Sequence, residues 1–154
     1  MRHILHSILS VAVICACNGP STDVEAEARD MLNTARQLMR TQQYHAAKDT
    51  ILSMRVRYPK AFEARTEGII VMDSIELLEA QDSLAILDST LIREQKLLEE
   101  LQASKDKSID ELRTQQNIKV FNLRQHLDEM GAKVKFFLRK IEIDKTGQQN
   151  TATP

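Results

Sequence analysis

The chain has 154 residues, 21 basic against 22 acidic for a formal charge of -1, and an aromatic content of 4% without a tryptophan. Near-neutrality removes any global electrostatic reason to bind nucleic acid. Four glycines against abundant Leu, Ile, Ala, Glu, Gln and Lys give strands almost no support and point to an all-α fold built on aliphatic seams.

The N-terminus carries a leader: Arg2 as a positive start, an apolar run from Ile8 to Ile14, and small Ala16 just before Cys17. That run is too short to span a bilayer as a helix. Ile14-Cys15-Ala16-Cys17 resembles a bacterial lipobox. The resemblance implies that residues 1–16 are a lipoprotein signal peptide and that Cys17 is acylated. Each buried acyl methylene then contributes about 0.8 kcal/mol to anchoring in the lipid bilayer. The competing reading is an ordinary secretory leader cleaved elsewhere. Asn18-Gly19-Pro20-Ser21-Thr22 is turn-forming and aperiodic, so residues 17–25 are expected to be a tether. Cys15 leaves with the leader and Cys17 carries lipid, so no disulfide is expected.

Residues 26–65 resemble one tetratricopeptide repeat. Met31, Ala35 and Leu38 stripe a first helix, Tyr44 follows the turn, Ala47, Ile51 and Met54 stripe a second, and Tyr58-Pro59 stops it. Small Ala35 and Ala47 let the helices approach closely. Gln42-Gln43 stands where the repeat usually has a glycine-containing turn. A lone repeat cannot bury its apolar face, so a helix starting near Ala61-Phe62 and carrying Ile69, Ile70 and Met72 is expected to cover it. An ordinary helical hairpin without that ancestry accounts for the same residues.

Residues 66–143 contain no proline and read as a coiled-coil segment. Leu77, Leu84, Leu91 and Leu98 recur every seventh residue, with Ala80, Leu87 and Leu101 between them. Val120, Leu123, Leu127, Met130, Val134, Phe137 and Ile141 form a second seam, displaced by one residue in phase. Residues 102–108 separate the two, either as a skip in one continuous rod or as the turn of a helical hairpin. Equal arms, the capping-box spacing of Ser108 and Glu111, and net charges of -6 over 73–102 and +4 over 113–145 favour the hairpin. A linker free of Gly, Pro and Asn favours the rod, which would demand a second subunit and hence a homodimer.

Catalytic and metal signatures are not found. His45 and His126 have no second histidine or cysteine at metal spacing, the serines lack a base and acid set, and no glycine-rich phosphate loop occurs. A non-enzyme with no cofactor and no metal is expected. Lys133, Lys135, Arg139 and Lys140 interleave with Phe136 and Phe137 as a candidate membrane-surface or peptidoglycan contact. The structural alternative has Phe136 and Leu138 cover a neighbouring helix. Residues 144–154 lose periodicity and read as a disordered tail.

Lipobox, tether, helix pair and coiled coil together resemble small envelope lipoproteins of Gram-negative bacteria. The resemblance implies a periplasm-facing, lipid-anchored protein that contacts another envelope protein, and Asn18 after the cysteine is similar to lipoproteins sent to the outer membrane. The function expected is non-catalytic protein binding or scaffolding, with the basic stretch as the alternative surface.

Overall fold

A computed structural model describes residues 22–151, with side chains from 24 to 147. The leader, Cys17 and most of the expected tether therefore lie outside the described residues. Four α-helices account for the described chain: α1 Thr22–Arg40, α2 Tyr44–Arg57, α3 Phe62–Ala103 and α4 Asp110–Thr151, with a 3-10 turn Lys107–Ile109 before α4.

Helices α1 and α2 form an antiparallel pair. Ala28, Leu32 and Ala35 of α1 meet Ala47, Ile51 and Met54 of α2, all fully buried, with Met31, Leu38 and Tyr44 packed around them. Burying a side chain the size of Leu32, Ile51 or Met54 contributes about 1.5–3 kcal/mol. The turn between them is a Schellman closure: the Gln43 amide donates to the Leu38 carbonyl (2.9 Å) and the Gln42 amide to the Met39 carbonyl (3.1 Å). Gln42 takes the left-handed conformation, φ 59°, that a glycine would accept without cost. Tyr58 ends α2 because a residue before proline avoids helical ψ, and its amide still reaches the Met54 carbonyl.

Helix α1 starts earlier than expected. Residues 22–25, assigned to the tether on composition, are helical; Val24 packs on the core and a Glu25 Oε1 accepts from the Ala64 amide (2.6 Å), capping α3. Burial and a capping contact outweigh local polarity here.

Helix α3 covers the pair and then continues as an arm, so the expected boundary at residue 65 falls inside one unbroken helix. It has two apolar faces. Ala64, Gly68, Val71 and Ile75 lie against α1 and α2, and Gly68 lets the backbones close in, since a Cβ there would sit 3.1 Å from Met54 Cε. The opposite face, through Leu91 and Leu98, meets Val120, Leu123 and Leu127 of α4. A helix of 42 residues is about 63 Å long.

The hairpin is the arrangement found: α4 runs back antiparallel along α3, with Lys133 on Glu76 (2.8 Å), Lys119 on Glu94 (2.9 Å) and Lys140 on Asp73. The turn differs from the expected capping box. Asp106 Oδ1 accepts from the Ser108 amide (2.8 Å), while Glu111 turns to Gln115. Asp106 is thereby held below the usual carboxylate range. Nor does α4 stop at residue 143. It continues to Thr151 through part of the expected tail, because polar residues without proline permit a helix whether or not one face is apolar.

Candidate functional site

Every residue of the two leucine-rich seams is spent inside the hairpin. Leu91, Leu98, Val120 and Ile141 are buried, and Leu77, Leu84, Leu87, Leu101, Leu123, Leu127, Met130, Val134 and Phe137 are half-buried. What the arm offers a partner is its outer surface, where Ile86 (68% exposed), Ile92, Ile118 and Phe121 point away from the seam. Sequence reasoning missed these four because they belong to no repeat.

A buried polar layer interrupts the seam. Glu94 follows Ala80 and Leu87 at seven-residue spacing, and Gln116 precedes Val120 in the second seam. Gln116 Nε2 donates to both the Glu94 carbonyl and its Oε2 (2.9 Å each), while Lys119 and Arg93 bring cations within 2.9 and 3.1 Å. The amide hydrogen bond, then the two cations, hold the Glu94 carboxyl down at about 2. Such a layer fixes register, because any slip strands a carboxylate among leucines. Heptad phase was the signal that could have found Glu94 and Gln116.

Charges also lace the root to the arm. Lys48 of α2 reaches Glu76 (2.6 Å) and Glu79 (2.5 Å) of α3, and Glu76 is shared with Lys133 of α4. Burial opposes both charges, yet the mutual hydrogen bonds win: Lys48 is held above its ordinary range and Glu76 below. The Tyr44 hydroxyl donates to Asp82 Oδ2 (2.6 Å), which with burial pushes the phenol up to about 12.

The basic stretch divides. Lys133 and Lys140 are engaged, the latter with Asp73, which with Asp144 raises its amine above the ordinary range. Lys135 and Arg139 are exposed. Phe136 (59% exposed) and Leu138 (50%) do not cover a neighbouring helix; both face out beside those cations, because α4 already fills its contact with α3 through Val134, Phe137 and Ile141. Nearby, where α2, α3 and α4 meet, an open groove of about 590 Å³ has Phe62, Ile69 and Met72 as apolar lining and Arg55, Arg65 and Lys140 as cations.

His45 pairs with Asp49 (3.0 Å) on the surface, and His126 is exposed. Among the described residues no group of three His, Cys, Asp or Glu side chains is placed to hold a metal, and no helix is long and apolar enough to cross a membrane. Compared with known proteins, the chain matches no family model, no curated protein and no solved structure.

Proposed function

We propose that this chain is a lipid-anchored scaffold of the bacterial envelope, moored through Cys17 and contacting another envelope protein through the outer surface of its arm, without catalysis. In this reading α1 and α2 are a tetratricopeptide-like pair capped by α3, and α3 with α4 is an antiparallel coiled coil. One geometric observation carries it. The start of α1, the start of α3 and the end of α4 lie at the same end of the molecule: Glu25 caps Ala64, and Lys140 on Asp73 leaves α4 and α3 the same length to run to Thr151 and Phe62. The 104–108 turn is about 63 Å away. Only a few residues separate Cys17 from Thr22, so an acylated Cys17 puts this root at the bilayer and projects the arm into the periplasm.

Ile86→Asp with Phe121→Asp tests the contact surface. Both side chains are exposed, so helicity by circular dichroism should be unchanged while in-cell crosslinks from the arm to envelope proteins are lost. Unchanged crosslinks in the folded double variant, or absence of acyl label that depends on Cys17, contradict the reading.

A second reading, binding to an anionic lipid surface through α4, is favoured by the exposure of Phe136 and Leu138 beside Lys135 and Arg139. Lys135→Glu with Arg139→Glu should then abolish salt-sensitive association with vesicles containing phosphatidylglycerol. Equal binding by the double variant removes it.

A further inference from the structure

We infer that the α3–α4 turn is a hinge held shut by Arg113, and that the surface of α3 on which α4 lies is equally a binding site for α4 of a second copy of this chain. The inference rests on the hairpin geometry and is independent of the lipid anchor.

The turn contains nothing that forbids a helix. Ser104, Lys105, Asp106 and Lys107 include no glycine or proline, and Gln42, far away in the α1–α2 turn, is the non-glycine residue with positive φ among those described. Ser104 (φ -72°, ψ 135°) and Asp106 (φ -76°, ψ 118°) already have φ close to helical values. Rotation about ψ at these residues therefore changes the chain from bent to straight without passing through a disallowed region.

What keeps it bent is a set of contacts that exist only in the bend. Arg113 Nε donates to the Leu101 carbonyl and a second guanidinium nitrogen to the Ser104 carbonyl, each at 3.1 Å, with Asp110 holding the same guanidinium. Those are two of the carbonyls left orphaned at the end of α3. In a continuous helix they would instead accept from the amides of Lys105 and Ser108, four residues on. Ser108 now donates to Asp106, and the Asp106 amide to Ser104 Oγ (3.3 Å). Closed and open forms thus compete for the same backbone groups, and Arg113 is the side chain that decides.

Opening costs no seam contact if two chains exchange arms. Each α3 would meet the α4 of its partner through the same leucines, the same Glu94–Gln116 layer and the same Lys133–Glu76 and Lys140–Asp73 pairs. The product is an antiparallel dimer with one helix per chain from Phe62 to Thr151, about 135 Å long. A second copy is the occupant that α3 fits, because only this sequence carries the matching polar layer in register.

Sedimentation equilibrium of the full chain in density-matched detergent tests the inference. Arg113→Ala should tighten dimerisation at least tenfold. Adding Lys105→Pro should return the double variant to monomer: Ser104 already has the extended ψ a following proline requires, while a proline at 105 breaks a continuous helix. Should Arg113→Ala fail to fold, Ser104→Ala with Asp106→Ala removes the remaining turn contacts and should dimerise likewise. A folded variant of either kind that stays as monomeric as the parent overturns the inference, as does a dimer that Lys105→Pro leaves intact.

Discussion

Helix α3 passes through two environments, and the contrast between them explains most of the molecule. At its root it is one of three helices, so Leu32, Ile51, Met54 and Ile75 lose all solvent contact. Along the arm it has α4 alone, and the best-covered seam leucines, Leu91 and Leu98, remain 7% and 9% exposed. Two helices cannot enclose a side chain as three can. The arm compensates with specificity, placing Glu94 and Gln116 in the seam and ion pairs along its length, which fix alignment more than they add free energy. A firm root and a register-locked arm suit a molecule that holds one end still and presents the other.

The largest expected contrast is between equivalent truncations. Ile51→Ala in the root should cost about 2–5 kcal/mol of unfolding free energy, the range for a fully enclosed aliphatic. Leu84→Ala in the arm should cost less than half of that, because its half-buried site loses less and collapses more freely. Denaturant titration of both decides, and equal costs would erase the distinction.

Next is Gly68, where α3 closes on the pair. Gly68→Leu should destabilise by about 1–3 kcal/mol through overpacking against Met54, Ile51 and Leu32. The same change at Gly131 in α4, where a Cβ meets nothing within 4 Å, should be neutral or stabilising. Thermal melts of the two variants sharpen the comparison at constant chemistry.

Acid should separate the regions as well. Glu94 is depressed from 4.5 to about 2 in the folded chain, so its stabilisation is complete above about pH 4.5 and is lost as pH falls towards about 2. Glu76, also depressed, acts in the same direction. Tyr44 has the opposite sign: raised from 10 to about 12, it stabilises fully below pH 10 and ceases to do so as pH rises through about 12. Side-chain NMR should show the surroundings of Leu98 loosening before those of Ile51 between pH 4.5 and 2. Loosening of Ile51 first would contradict the assignment.

The smallest expected effect lies in the α1–α2 turn. Gln42→Gly relieves a left-handed non-glycine residue and should raise stability by about 1 kcal/mol. A loss would mean the Gln42 side chain is doing something its backbone does not reveal.

Much of this architecture was legible because apolar spacing reports which face a helix buries. The stripe Ala47–Ile51–Met54, the stop at Tyr58-Pro59, and the paired seams with complementary charge all appear in the structure where periodicity placed them. Four features escaped for identifiable reasons. Residues 22–25 are polar, and only tertiary contact with Ala64 makes them helical. Glu94 and Gln116 occupy seam phase but were passed over as polar residues, though phase rather than polarity decides burial once neighbours lock the register. Asp106 rather than Ser108 caps the turn, because a single 3-10 turn precedes α4. Phe136 and Leu138 are exposed since two helices leave no third surface to receive them.

The contrast is tested most directly by hydrogen exchange resolved along the chain at neutral pH. Amides of α1, α2 and residues 64–80 should exchange last and together, through opening of the whole root, while those of residues 84–101 and of α4 facing them exchange measurably sooner. An arm that protects its amides as long as the root, or longer, would contradict the division between a firm base and a register-locked extension.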